Sequence, residues 1–407
     1  MNLSDNFKHM FRALKSRNYR LFFIGQGISL TGTWMQQMAI CWLIYRLTKS
    51  PFMLGFVGFL GNIPTLIFTP FAGVLADRMN KHRMLIVTQG LAMVQALILA
   101  ALIMTGKVEV WQILVFAIFL GIVAAFDAPA RHAFIVEMVG RKEDLGNAIA
   151  LNSLVFNAAR LIGPSMAGIL VALFGEGICF LFNGLSYIAV IAALLGMHIT
   201  HRVIVRQDKH IMQGLKEGVN YAFSHKLIRS ILLLTGLVSM MGMSYVVLMP
   251  VFAKDVLRGD ANTLGLLMGS TGLGALIGAF FLASRNGTKE LNRIVFLTTN
   301  IFGFGLIAFS FSRVLWLSML TLLFIGFGMM VQMSANNMII QAIVHDDKRG
   351  RVMSLFMVAF MGMVPFGCLI AGALANRFGA PNAIMASGLF CAAGSFLLRN
   401  TKHDTVA

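Results

Sequence analysis

Positive charge alternates from loop to loop along this 407-residue chain, and no other feature limits its possible folds as much. Apolar segments alternate with short polar loops, and each is near the ~20 residues that a helix needs to cross a bilayer. We count twelve such spans, at 18–46, 51–76, 84–105, 110–131, 147–174, 178–197, 228–252, 263–284, 294–312, 315–341, 352–376 and 381–398.

The loops divide into two sets that differ in charge. The N-terminus, the even-numbered loops and the C-terminus together hold 25 of the 33 Lys and Arg residues, whereas the odd-numbered loops hold 7 and Arg160 lies inside span 5. Because Lys and Arg are retained on the cytoplasmic side of a membrane, the pattern predicts that both termini are cytoplasmic.

Composition excludes several classes of protein. With 58% hydrophobic residues, 12% charged residues and a mean hydropathy of +0.80, the chain is not a soluble domain. Its net charge of +17 is explained by topology, and no basic cluster is interleaved with aromatic residues, so nucleic-acid binding is not expected. The four cysteines all lie in spans without metal-ligand spacing, which predicts packing roles and no metal site.

The chain also reads as two halves. We predict an N-terminal six-helix bundle over 1–197, a cytoplasmic linker with an amphipathic helix over 198–227, and a C-terminal six-helix bundle over 228–407. Residues 143–175 align without gaps to 347–379, with nine of 33 positions identical. This repeat predicts an all-α membrane protein of twelve transmembrane helices in two pseudo-symmetric bundles.

Several motifs resemble those of the major facilitator superfamily, and the resemblance covers essentially the whole chain. The loop Gly73–Arg83 resembles the superfamily's signature loop, with Asn80 in place of its usual second glycine. Gly163-Pro164-x-x-Ala167-Gly168 resembles the antiporter motif of drug exporters, with Ala167 in place of a glycine. This chain resembles the branch of the superfamily that includes the enterobactin exporters at residues 31–36, 127–131 and 349–351.

The resemblance implies the major facilitator fold, a bacterial cytoplasmic membrane and a monomer. It also implies a gating network: Asp77 lies against the start of span 11 near 351–354, and Lys81 and Arg83 pair with Asp127. The alternative is that these are ordinary interface charges that fix topology. The residues expected to control the conformational change are Asp77, Arg78, Lys81, Arg83, Asp127, Arg131, Gly163 and Pro164.

Polar residues inside the spans are the candidates for substrate binding. Ser153, Asn157 and Arg160 recur at helical spacing, and Arg160 lies near the middle of the membrane, where an arginine must face protein or water. Its alternative role is a structural brace at Gly163-Pro164. Spans 1, 7 and 10 line the central cavity in this superfamily, which adds the candidates Gln26, Thr33, Gln36, Ser244, Gln332 and Asn336; interhelical hydrogen bonds are the alternative for these.

Together these features predict a secondary active transporter that exports small amphipathic organic molecules, siderophore-like or drug-like, by rocker-switch alternating access. No acid lies near the middle of a span, so coupling to an ion gradient, expected to be protons, falls to Asp127, Asp77 or a less obvious group. The alternatives are an importer of a small organic solute and, from another class, a lipid scramblase or membrane enzyme. An enzyme would need a convergent nucleophile and base or a metal cluster, which the sequence does not suggest, and no cofactor is expected.

Overall fold

Across the residues that the computed structural model describes, twelve long helices follow one another, and a shorter helix lies between the sixth and the seventh. The structure describes residues 11–139, 141–198, 211–285 and 290–399, with the side chains in these ranges except those at 70, 73–74, 76–78, 142, 211–216, 346–347 and 397–399. This part of the chain contains no β-strand, so the predicted all-α class is confirmed.

Six helices form the first half. Their bounds are α1 Arg17–Thr48, α2 Pro51–Arg78, α3 Lys81–Met104, α4 Val110–Met138, α5 Leu145–Phe174 and α6 Gly177–Leu195. The linker helix, Ile211–Ser224, follows and lies within the linker predicted over 198–227.

Six further helices form the second half. Four of them are α8 Ala261–Ala283, α9 Leu291–Phe311, α10 Leu315–Ile343 and α12 Ala380–Arg399. The other two are composite: α7 runs through Lys226–Leu237, Val238–Gly242, Tyr245–Val251 and Phe252–Val256, and α11 through Asp346–Met357, Val358–Gly362 and Val364–Phe378.

Ten of these helices, all but α1 and α12, are long and apolar enough to cross a membrane. Helix α1 is 32 residues long, but polar side chains such as the buried Gln26, Ser29 and Gln36 interrupt its apolar sequence. A helix with such a polar stripe still spans a bilayer when the stripe faces protein rather than lipid.

Single π-helical turns interrupt α7 and α11. They lie at Val238–Gly242 and Phe252–Val256 in α7 and at Val358–Gly362 in α11. The turns at Val238–Gly242 and Val358–Gly362 pack against each other. Because π-turns often occur at functional sites, this contact is a place to look for one.

Packing divides the chain into two compact units. The first unit comprises Met1–Leu43 and Ile63–Val205, and the second comprises Ile44–Asn62 and Arg206–Ala407. The end of α1 and the beginning of α2 therefore pack with residues of the second half. The domain boundaries 1–197, 198–227 and 228–407 stay a prediction.

The second unit holds the segment Ile44–Asn62 by close contacts. A Cβ atom on Gly55 would lie 2.8 Å from the Cα atom of Gly372 in α11, so the two backbones meet where neither residue has a side chain. Phe59 packs edge to face on Phe366, with 6.2 Å between ring centroids. Small residues at such crossings let membrane helices approach closely.

The sequence repeat is visible in how α5 and α11 end. Each helix stops before a glycine with a positive φ, 80° at Gly175 and 86° at Gly379. This left-handed conformation favours glycine, because a Cβ atom there is strained. The two aligned segments therefore keep the same helix-stop signal at the same position.

The linker helix lies against the start of α11. Glu217 forms an ion pair with Arg351 at 2.5 Å, and the Nζ atom of Lys348 lies 4.5 Å from the ring centroid of Tyr221. The expectation that Asp77 lies near Arg351 stays a prediction, because the side chain of Asp77 lies outside the described residues.

Candidate functional site

Arg160 lies beside two aromatic rings in the first unit. Its guanidinium carbon is 5.7 Å from the ring centroid of Trp34 on α1, an arrangement that permits a cation–π interaction. Trp34 packs edge to face on Phe156, one turn before Arg160 on α5, with 5.7 Å between centroids. The three side chains thus combine a planar cation with apolar ring surface, which suits an amphipathic ligand.

Gly163 makes the approach of α1 to α5 possible. A Cβ atom at this position would lie 2.6 Å from the Cβ atom of Trp34 and 2.8 Å from the carbonyl oxygen of Thr31. Pro164 follows inside α5, where it removes one backbone donor. The Gly163-Pro164 step therefore lies at the α1–α5 contact that places Trp34 near Arg160.

Ser153 and Asn157 share the stripe of Arg160 but differ in burial. Ser153 is exposed, and its hydroxyl donates to the carbonyl of Ile149 at 3.1 Å. Asn157 is buried, and its Nδ2 donates to the carbonyl of Ser153 at 2.8 Å. Both side chains thus bond to their own helix, and their role in substrate binding stays a prediction.

The polar stripe of α1 forms interhelical hydrogen bonds. Gln36 donates from Nε2 to Oε1 of Gln95 at 3.2 Å and accepts at Oε1 from Nδ2 of Asn183 at 2.6 Å. Gln26 is also buried, whereas Thr33 is exposed and donates to the carbonyl of Ser29 at 2.9 Å. For Gln36 the geometry favours the structural alternative.

The candidates in the second unit are all buried. Ser244 is 2% exposed and donates to the carbonyl of Met241 at 3.0 Å. Gln332 and Asn336 lie one turn apart on α10 and are 1% and 0% exposed, and Nδ2 of Asn336 donates to Oγ1 of Thr235 at 3.1 Å.

Asp127 is a buried carboxylate, 7% exposed, on α4. Its Oδ1 accepts hydrogen bonds from Oγ1 of Thr88 at 2.9 Å and from Nε2 of Gln89 at 2.7 Å, both on α3. Its Oδ2 pairs with Arg131 one turn later, at 3.3 Å. A buried carboxylate needs such partners, and these contacts supply them to both of its oxygens.

The structure places Asp127 deeper than the sequence suggested. The predicted span 4 ended at 131, but α4 continues to Met138, because the apolar residues after His132 extend the helix. Asp127 therefore precedes the end of α4 by 11 residues, about 16 Å at 1.5 Å per residue.

The predicted pairing of Lys81 with Asp127 is wrong. Lys81 contacts Glu137 at 2.8 Å instead, because the longer α4 brings Glu137, rather than Asp127, beside the start of α3. Arg83 is exposed, and its backbone N–H donates to Oδ1 of Asn80 at 3.2 Å. Asn80 thus caps α3, which gives this departure from the family loop a physical role. Asp77 and Arg78 lie outside the described side chains, and their gating role stays a prediction.

A cleft of about 520 Å³ lies between α1, α5 and α6 in the first unit. Its two polar lining side chains are already bonded: Thr31 donates to the carbonyl of Gly27 at 2.9 Å and Ser186 to that of Asn183 at 2.7 Å. The cleft therefore presents apolar surface, and none of the predicted substrate-binding residues lines it.

Three residues at these sites were missed by sequence reasoning. Trp34 lies within the motif at 31–36 but was given no separate role. Thr88 and Gln89 are neighbouring polar residues in a mostly apolar span, a signal that could have placed them beside a buried charge. Across the described residues, no group of three or more His, Cys, Asp or Glu side chains could hold a metal ion.

Comparison with known proteins identifies the family. The family described as transmembrane secretion effector matches residues 9–406. The staphyloferrin A transporter of Staphylococcus aureus is 26% identical over 94% of this chain and 96% of its own length. Macrolide efflux protein A of Streptococcus pyogenes is 22% identical over 92% of this chain and 94% of its own length.

A solved structure shows the same fold. It is a bacterial homologue of the human lysosomal transporter Spinster, in an inward-facing and occupied conformation, with a TM-score of 0.73 at 12% identity over 95% of this chain and 97% of its own. The family match spans nearly the whole chain, and the fold agrees with it. The chain belongs to the transmembrane secretion effector family of the major facilitator superfamily and is a multi-pass membrane transporter.

Proposed function

We propose that this transporter exports small amphipathic organic molecules, siderophore-like or drug-like, from the bacterial cytoplasm. Relatives that align over nearly the whole chain are named for siderophore transport and macrolide efflux, which supports both ligand classes. The single observation that carries the proposal is the group formed by Arg160, Trp34 and Phe156, since it offers charge recognition and apolar surface side by side.

In this proposal each member of the group has a separate task. Arg160 binds an anionic or carbonyl-rich part of the substrate, because its planar guanidinium can donate two parallel hydrogen bonds. Phe156 is 43% exposed and supplies apolar contact to the rest of the ligand. Trp34 orients the guanidinium by lying under it.

Vesicle transport tests this proposal. The purified protein is reconstituted, and uptake of a radiolabelled macrolide and of staphyloferrin A is measured in inside-out and right-side-out vesicles with an imposed pH gradient. We expect uptake only in the inside-out vesicles for at least one of the two probes. Uptake only in right-side-out vesicles would establish the importer alternative, and movement of labelled phospholipid without either probe would favour the scramblase alternative.

We further propose that Asp127 carries the coupling proton. Support comes from its burial and from its partners on α3, because protonation would remove the charge that Arg131 and the two donors stabilise. In this proposal the charged and the neutral carboxylate favour two different arrangements of α3 and α4. Coupling of transport to a gradient requires two such arrangements.

Asp127→Asn tests the coupling role. The amide keeps the shape of the carboxylate but cannot ionise, so we expect uptake in inside-out vesicles to become independent of an imposed pH gradient while the protein keeps its fold. Glu137→Gln is the matched control, since Glu137 is a carboxylate on the same helix that pairs with Lys81 nearer the helix end. A gradient response retained by Asp127→Asn would remove Asp127 from the coupling mechanism.

The finer points of location and assembly belong to the same proposal. The protein resides in the cytoplasmic membrane with both termini inside, which the distribution of Lys and Arg supports. It works as a monomer and as a transporter rather than an enzyme, and its partners are the bilayer and a small-molecule substrate, not nucleic acid.

A further inference from the structure

A polar cluster lies between α7 and α10, inside the second unit. It contains Thr235 and Ser239, one turn apart on α7, and Gln332 and Asn336, one turn apart on α10. The four side chains are at most 1% exposed. Asn336 and Thr235 are joined by a hydrogen bond of 3.1 Å, which fixes how the two helices face each other.

Ser239 and Gln332, the other two members of the cluster, lie at the same height along the two helices. Because consecutive spans alternate in direction, α7 and α10 are antiparallel, so one turn beyond the Thr235–Asn336 contact Ser239 comes opposite Gln332. No hydrogen bond joins these two side chains. Ser239 Oγ, both amide atoms of Gln332 and Oδ1 of Asn336 are buried without a hydrogen-bond partner among the described residues.

Ser239 differs from most hydroxyls of the spans, which bond to a carbonyl of their own helix. Thr33 and Ser270, for example, each donate to the carbonyl four residues earlier on their own helix. Ser239 lies in the π-turn Val238–Gly242, where the backbone register shifts. Its hydroxyl makes no hydrogen bond within its own helix and is available to a group between the two helices.

We propose that Ser239, Gln332 and Asn336 bind an internal water between α7 and α10. Buried waters typically make about three hydrogen bonds to groups that would otherwise be unpaired, and they need both donors and acceptors. Gln332 Nε2 and the Ser239 hydroxyl can donate to the water, and Asn336 Oδ1 can accept from it. Both amide atoms of Gln332 are unpartnered, so the balance holds for either orientation of the amide.

The chemistry of these side chains excludes a simple cation as the bound group. A sodium ion would satisfy the oxygens but would face the unpaired N–H groups of Gln332, and the cluster contains no carboxylate to offset its charge. A neutral group that both donates and accepts fits all three side chains. Water is such a group.

A double-mutant cycle tests the proposal on the full-length protein in detergent. Ser239→Ala and Gln332→Leu are made singly and together, and melting temperatures are compared. If one water bridges both residues, the double variant should lose about as much stability as the worse single variant. Thr235→Val with Asn336→Leu is the directly bonded positive control, and Gln332→Leu with Ser318→Ala, about 21 Å along α10, is the additive control.

Each outcome decides the question. Non-additivity for Ser239 and Gln332 without substrate, together with a density peak between the two side chains in a high-resolution map, would establish the water. Additive effects with a higher melting temperature for Gln332→Leu would mean that the cluster is dry. Non-additivity that appears only with an added macrolide would assign the site to a substrate hydroxyl and overturn the proposal.

Discussion

At the scale of single residues, Arg160 shows how a neighbour defines what a charge can do. An isolated arginine near mid-membrane is unfavourable by at least ~2.5 kcal/mol on insertion scales, so it requires a polar or aromatic environment. Trp34 provides an aromatic face 5.7 Å away. The orientation of the guanidinium, not only its charge, is therefore set by the protein.

Substitutions of Arg160 and Trp34 should separate charge from orientation. We expect Arg160→Ala to abolish transport of the macrolide or siderophore probe, and Arg160→Lys to retain part of it, because an ammonium keeps the charge without the planar donor geometry. Trp34→Leu should weaken probe binding about two- to thirtyfold, the equivalent of ~0.5–2 kcal/mol of cation–π interaction.

Ligand-induced protection against thermal unfolding measures these effects. Trp316→Leu is the control, since that tryptophan is 66% exposed at the start of α10. If Arg160→Ala lowers the melting temperature of the unliganded protein while the variant still binds the probe, Arg160 is a structural brace rather than a binding residue.

Sequence reasoning located the charged and polar residues of the site but not their partners. Arg160 was identified because charge is rare inside spans, and Asp127 because it lies in a motif that resembles the superfamily. The pairing of Lys81 was missed because it depends on where α4 ends, and the apolar residues after His132 extend that helix by seven positions beyond the predicted 131. Which residues of two helices touch depends on how the helices are aligned along each other, and a single sequence does not give that alignment.

At the scale of elements, the α1–α5 crossing depends on a glycine, which has no side chain to separate the two helices. Gly163 lies where a Cβ atom would come within 2.6 Å of Trp34, so the helices meet at backbone distance. The helix positions themselves were predictable from hydropathy and charge. The π-turns of α7 and α11 were not, because they are set by packing between helices rather than by local propensity.

Gly163→Ala should therefore destabilise the first unit. Overpacking a tight contact typically lowers stability by ~1–3 kcal/mol, and the displaced Trp34 should also weaken probe binding. Gly146→Ala, on the same helix with nothing within 4 Å of the added Cβ atom, should be neutral or slightly stabilising. Equal melting temperatures for the two variants would show that the α1–α5 contact accommodates the added Cβ atom without strain.

At the scale of the whole molecule, topology is the property that charge predicts most directly. In a cysteine-free background, single cysteines at Lys49, Lys107 and Arg258 should react with an impermeant thiol reagent added to intact cells. A cysteine at Arg141, which is exposed in the structure, should react only after the cells are opened. The opposite pattern would reject the twelve-span topology with cytoplasmic termini.

The segment Ile44–Asn62 belongs by packing to the second unit, although the chain reaches it first. A ribosome therefore completes this segment long before Gly372, against which Gly55 packs, has been synthesised. During biogenesis the end of α1 and the beginning of α2 are therefore made before the helix against which they pack. The packing of this segment into the second unit can be completed only after α11 has been inserted.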